Sequence, residues 1–254
     1  MNGLAFELSG RTAFFKKPDV NEYAYFTYSH IHKIALLGLL GAMLGLNGYL
    51  QQFESIKKDG ENADNTFPEF YSVLHALRVA IVPYGDRGYF SKKIQAFNNG
   101  VGYASHEQGG NLIIRQQWLE NPKWTIYLMQ GEVEEHVYQK IRQMLLQRQT
   151  IFIPYLGSND HQAKLSNVRP VTLESVHEIA GLDSLFPVGN IDYASRGTYG
   201  EQAPFYFSEW MPIALNEATN HYIMQEIGHT NKRLKEVNGS GRVFSCEQRN
   251  LYFI

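Results

Sequence analysis

Basic side chains set among aromatic rings form the chemistry-bearing pattern of this chain. Between Tyr84 and Gly110 (YGDRGYFSKKIQAFNNGVGYASHEQGG), Arg87, Lys92 and Lys93 are interleaved with Tyr89, Phe90, Phe97 and Tyr103. Cations that grip a phosphodiester backbone, beside rings on which bases stack, are what a single nucleic-acid strand requires. A connection of this length inside a compact domain is either functional or disordered, so a flexible loop with incidental charge is the competing reading. A second basic cluster, Ser29-His30-Ile31-His32-Lys33, runs straight into the apolar block Ile34–Leu46. If that block is a helix, its N-terminal dipole with His30, His32 and Lys33 suits an anion such as phosphate. Alternatively, Ser29 merely caps the helix and the cations are solvated.

Other site chemistries find less support. His30 and His32 alternate, so in an extended segment they face the same way and could share a metal or act as acid and base. No Asp or Glu stands beside them at ligand spacing, so no metal is expected. His221 and His229 fall on a predicted helix, Asn216–Leu234, too far apart to share one face cleanly. Gly100-Val101-Gly102 lacks the Lys-Ser/Thr of a phosphate loop, and no G-x-S-x-G elbow is present. Ser158, Asp160 and His161 are neighbours in a loop, which is not triad geometry. The pattern favours binding over bond breaking, with no catalytic residue and no cofactor expected.

A chain of 254 residues accommodates one large or two modest domains. The net charge of −2 excludes coating nucleic acid by bulk charge but leaves a local basic patch open. A single cysteine, Cys246, excludes an intramolecular disulfide framework and a cysteine-based zinc site, and fits a reducing cytoplasm. The apolar block stops after 13 residues, short of the roughly 20 that span a bilayer. It also lies behind some thirty polar and aromatic residues, unlike a signal peptide. No membrane association is expected.

The elements that must position these groups are readable in outline. Gly3–Ser9 alternates, with Leu4, Phe6 and Leu8 on one side, as a half-buried strand does. Gly10-Arg11 turns the chain into a basic aromatic loop, Thr12–Pro18. The block at Ile34–Leu46 predicts a helix buried all round, with Gly38, Gly41 and Gly45 near one face where a second backbone can approach. After a polar break at Asp59–Asn65, Val73–Val82 ends as a strand. Asn111–Trp118 and Lys123–Met129 read as strands joined by a turn at Glu120-Asn121-Pro122. Glu132–Arg148 reads as a helix striped by Val133, Val137, Ile141, Met144 and Leu145, and Ile151–Gly157 as a short strand. This order approaches the split βαβ arrangement of ferredoxin-like and RNA-recognition folds. Strands around Arg169–Leu173, Pro204–Leu215 and Val243–Phe253 then suggest a smaller β-rich module. The expectation is an α+β chain with a first domain at 1–158, an insertion at about 84–112, and a β-rich module at 159–254.

Several segments in order resemble the Cas five family of CRISPR-associated proteins, particularly its type I-B branch. They are Phe6-Glu7-Leu8-Ser9-Gly10-Arg11, Ala13-Phe14-Phe15-Lys16-Lys17-Pro18, Thr27-Tyr28-Ser29 and the glycine helix Leu37–Leu46. Arg115-Gln116-Gln117-Trp118-Leu119 with Asn121-Pro122-Lys123, Ile153-Pro154-Tyr155-Leu156-Gly157 and Ser208-Glu209-Trp210-Met211-Pro212 follow. The resemblance spans nearly the whole chain, and the glycine helix with Pro-Tyr-Leu-Gly is its most specific combination. It implies a modified ferredoxin-like fold of the repeat-associated RNA-binding superfamily, with a β-hairpin thumb in the insertion. It also implies a subunit that caps the 5′ handle of CRISPR RNA in the surveillance complex Cascade. There it would touch the backbone subunit and the large subunit that helps read target DNA. The RNA contacts would come from Arg11, Lys16, Lys17, His30, His32, Lys33, Arg87, Lys92, Lys93 and Arg115.

One departure stands out. Where the family usually has Pro-Pro-Arg, this chain has Ile31-His32-Lys33, which keeps a charge, loses the guanidinium fork, and predicts a more mobile lead-in. The alternative function is that of type I-C relatives, metal-independent cutting of precursor RNA. A base or cation would then come from Tyr28, His30, His32 or the Lys92-Lys93 pair.

Overall fold

A computed structural model describes residues 1–19, 23–59, 67–99, 106, 112–176, 178–238 and 240–254. Strand β1 (Asn2–Ser9) keeps the expected alternation but is buried on both faces. Leu4, Phe6 and Leu8 enter the larger core, and Ala5 the smaller. β2 (Thr12–Ala13) follows, and the helices α1 (Lys33–Leu44), α2 (Tyr49–Asp59) and α3 (Glu69–Leu74) lead to β3 (Arg78–Pro83). Next come β4 (Lys92–Asn99), β5 (Leu112–Glu120), β6 (Lys123–Met129), α4 (Glu135–Gln147) and β7 (Lys164–Thr172). Strands β3, β6, β1 and β7 lie in that order in one sheet, antiparallel throughout. Two strand–helix–strand passages, β1 to β3 and β6 to β7, are thereby interleaved.

The glycine block forms as expected. α1 is apolar all round, with Leu36, Leu37, Leu39, Leu40, Met43 and Leu44 buried. Its C-terminus is a Schellman turn. Gly45 takes φ 78°, its N–H donates to the Ala42 carbonyl, and the Leu46 N–H reaches the Gly41 carbonyl at 2.9 Å. At Gly41 a side chain has no room, because a Cβ there would stand 2.5 Å from Phe70 Cβ on α3. Gly41→Leu is therefore expected to cost about 1–3 kcal/mol by overpacking, read from the denaturant midpoint. An unchanged midpoint would mean that α3 does not need this close approach. Among the described residues no single helix is long and apolar enough to cross a membrane.

Beyond β7 the chain is almost entirely extended. It forms β8 (Glu174–Ser175), β9 (Phe186–Pro187), β10 (Ile191–Thr198), β11 (Tyr206–Leu215), β12 (Tyr222–Thr230), β13 (Lys232–Val237), β14 (Val243–Cys246) and β15 (Arg249–Tyr252). The β14–β15 hairpin turns through Glu247 and Gln248, both at positive φ, as a two-residue hairpin turn of matching twist requires. With Phe253 it lays Phe244, Cys246 and Leu251 on the face of the main sheet that carries Ala5, Ala80, Val82 and Tyr127.

Four expectations are corrected. Asn216–Leu234 is not a helix. The Asn216 side chain accepts from the N–H groups of Ala218 and Thr219 (3.0 and 3.1 Å), and this Asx turn starts a hairpin that pairs β12 with β11. Ile151–Gly157 is not a strand, because the Ile151 and Phe152 N–H groups are spent on the Met43 and Ala42 carbonyls at the end of α1. β5 and β6 do not pair with each other. β6 joins the main sheet, whereas β5 pairs with β4 and β2. Within the insertion expected at about 84–112, Lys92–Asn99 pairs antiparallel with Leu112–Glu120 over eight residue pairs. The connecting residues 100–105 and 107–111, with Tyr103, lie outside the described residues, as does most of the 59–65 break. The division at 158/159 separates neither sheets nor cores: β7 completes the first sheet, and Leu185, Phe186, Met211 and Ile227 share one core with Leu4 and Leu36.

Candidate nucleic-acid interface

The basic aromatic loop folds back on itself and then onto β5. The Lys17 N–H donates to the Phe26 carbonyl (2.8 Å), and Tyr28 N–H to Phe15 (2.8 Å). Tyr25 exchanges bonds with β5 by donating to the Arg115 carbonyl and accepting from the Gln117 N–H, each at 2.9 Å. β2 pairs with the far end of β5 through Leu119 and Glu120. Arg11, Lys16, Lys17, Lys92, Lys93 and Arg115 thus belong to one continuous hydrogen-bonded ribbon. Of its rings, Phe26 and Phe97 are exposed to solvent and Tyr25 and Trp118 half-buried.

The six cations divide by what already holds them. Lys17 Nζ lies 2.7 Å from Glu209 Oε1, over the Tyr28 ring. Lys92 Nζ donates to Ser29 Oγ (2.8 Å), and the Ser29 N–H donates to Glu209 Oε2 (2.8 Å). One carboxylate on β11 thereby gathers the loop, the helix lead-in and β4. Desolvation holds the Lys92 ammonium below its ordinary value, Lys17 adds to this, and Glu209 opposes it. Lys93 is paired with Glu120 at 3.3 Å. Among the described residues no carboxylate pairs with Arg11, Lys16 or Arg115. All three are exposed, and Lys16 sits 4.0 Å above the Tyr25 ring.

The remaining expected contacts lie elsewhere. His30 has no exposed surface. Its Nδ1 accepts from Trp124 Nε1–H (3.3 Å), and its ring meets Phe90 and Phe207 edge-on. Burial, then His229 and Lys92, lowers its pKa to about 3. His32 is the helix cap, its Nδ1 accepting from the Ala35 N–H (3.2 Å), and burial lowers it to about 3 as well. The expectation that these two imidazoles meet RNA is corrected: both are neutral packing residues. Ile31 is also fully buried, so the lead-in is packed in place rather than loose. Lys33 opens α1 away from the ribbon, among Arg242 and Arg78. Arg87 is exposed at φ 53° in a tight turn between β3 and β4. Tyr28, offered as a base for RNA cutting, is 1 % exposed, and desolvation, then Tyr222, Asp19 and Glu209, keep its phenol protonated far above its ordinary range.

No protein-family model and no curated protein matches the sequence. Solved structures do. A chain of a CRISPR RNA-guided surveillance complex is similar with a TM-score of 0.50 at 13% identity, covering 94% of this chain and 95% of that one. A CRISPR protein from Archaeoglobus fulgidus is similar with a TM-score of 0.47 at 14% identity over 99% and 98%. A Cas protein has a TM-score of 0.44 at 13% identity over 91% and 95%. The likeness is one of fold: helices and antiparallel sheets arranged as in CRISPR-associated proteins.

Sequence reasoning missed the organising role of Glu209. It sits in the quoted Ser208–Pro212 segment, but its partners Lys17 and Ser29 are some 180 residues away. Beside it, Trp210 is 60% exposed on β11. A lone carboxylate inside an aromatic strand was the available signal.

Proposed function

We propose that this chain is a non-catalytic subunit of a type I CRISPR surveillance complex, a cytoplasmic member of the Cas five family and its type I-B branch, which binds the 5′ handle of CRISPR RNA. The observation that carries this is the end-to-end likeness in fold to a chain of an RNA-guided surveillance complex. The strand order β3–β6–β1–β7, with its two interleaved strand–helix–strand passages, supports a modified ferredoxin-like body. The β4–β5 pair takes the place of the thumb. Arg11, Lys16 and Arg115 form the RNA-gripping track, with Lys17, Lys92 and Lys93 beside them and Arg87 at one end. Phosphate contact needs unpaired positive charge, and the first three have it. The backbone and large subunits of the complex, and through them target DNA, are its partners.

Co-expression with the other subunits and a repeat-containing RNA tests this reading. The chain is expected in the assembled particle, crosslinked to the repeat-derived 5′ end of the RNA. Incubated alone with repeat RNA and a chelator, it is expected to leave that RNA intact. A particle that assembles fully without it, or a discrete cleavage product lost in Lys92→Ala, would overturn the proposal.

A further inference from the structure

We infer that the chain carries a second anion site, a phosphate-binding cavity between the start of α1 and the β14–β15 hairpin, apart from the ribbon. The cavity measures about 280 Å³ and is lined by Lys33, Asn190, Gln225, Arg242, Tyr252 and Ile254, among others. Two cations from distant parts of the chain line it, and Arg78 is near enough to repel Lys33. No Asp or Glu lines it, and among the described residues no ion pair engages Lys33, Arg78 or Arg242. By contrast, Lys17 is paired with Glu209 and Arg169 with Glu247. Like charges converging with no acidic side chain between them are unfavourable in a partly desolvated site, and an oxyanion relieves that. Asn190 Nδ2 donates to the Tyr252 hydroxyl (2.6 Å), which leaves that hydroxyl's hydrogen for another acceptor. The side chain of Tyr252 is 1% exposed, so this donor is fixed in place. A guanidinium fork, an ammonium, a phenol and the Gln225 amide suit the several oxygens of a phosphate group.

The phosphate has two possible sources, free inorganic phosphate and a phosphate of bound RNA. Calorimetric titration separates them. It is made in constant sodium chloride, on the full chain extended by Gly-Ser-Gly after Ile254 so that a terminal carboxylate does not compete. Inorganic phosphate is expected to bind, with the dissociation constant raised at least tenfold by Lys33→Gln and by Arg242→Gln. Arg242 is exposed, so its variant folds even if the Lys33 variant does not. A ribo-oligonucleotide that displaces the phosphate identifies RNA as the source; one that does not leaves the free ion. Sulfate, whose charge is constant from pH 7 to 9, is expected to bind more weakly as pH rises. The Lys33 ammonium, held at about 8 by burial, then Arg242 and Arg78, is lost across that range. Heats equal to a chloride blank, or variants that bind phosphate as the parent does, would overturn the inference. Glutamate at Arg11, Lys16 and Arg115 is expected to leave phosphate binding intact, so failure here is distinct from failure of the RNA reading.

Discussion

Glutamate at Arg11, Lys16 and Arg115 together is expected to weaken binding of handle RNA about a hundredfold at physiological salt. Three contacts at about 1 kcal/mol each account for a loss of that size. The salt dependence should flatten too. Each phosphate contact to a single strand contributes roughly 0.7 to the slope of log affinity against log salt, so three lost contacts lower it by about 2. The same substitutions at Lys17, Lys92 and Lys93 are expected to do less per residue, because Glu209, Ser29 and Glu120 already engage these ammonium groups. Glu209→Gln inverts the logic. It removes the anion that holds Lys17, so RNA affinity should rise a few-fold while the junction of loop and β11 loosens. Filter-binding isotherms at three salt concentrations measure all of these. An unchanged slope in the triple variant would remove those residues from the RNA track.

Acid should unfold this protein steeply below pH 6.5. His30 and His32 are held neutral to about pH 3 and His229 to about pH 4, chiefly by burial, whereas in the unfolded chain all three titrate near 6.5. Between those limits the unfolded state binds more protons than the native one, so stability is full above about 6.5 and falls as pH drops. Each fully buried imidazole contributes about 1.4 kcal/mol per pH unit in that window. At pH 5 three of them remove on the order of 6 kcal/mol, comparable to the whole stability of a typical domain. His30→Phe fills the same aromatic surroundings without a titrating group and should lower the slope by about one proton. Chemical denaturation at a series of pH values measures this, and a flat profile from pH 7 to 5 would contradict the burial of these rings.

What could be read from the sequence was local, and what could not was the partner of each group. The glycine helix was legible because its apolar run and its close-packing Gly41 lie within a dozen residues, whereas Gly45, read as part of the glycine face, is the left-handed stop that ends the helix at Leu44. The inward alternation of β1 and the stripe of α4 were legible for the same reason. Asn216–Leu234 failed because Tyr222–Thr230 becomes a strand through pairing with β11, information held outside the segment. The candidate site was legible as a list of cations but not as an arrangement. Nothing within Ser29–Lys33 indicates that His30 receives a bond from Trp124, or that Lys33 turns away from Lys17 and Lys92. Those placements follow from contacts with distant parts of the chain, where residue type and spacing carry no signal.

Recognition of the handle is measured by a pair of equilibrium dissociation constants. The purified chain is titrated with RNA carrying the repeat-derived 5′ handle and with a scrambled RNA of equal length, both at about 0.15 M salt. Binding to the handle is expected to be at least tenfold tighter, a preference that disappears in the Arg11, Lys16 and Arg115 triple variant. Equal affinity for the two RNAs would contradict it.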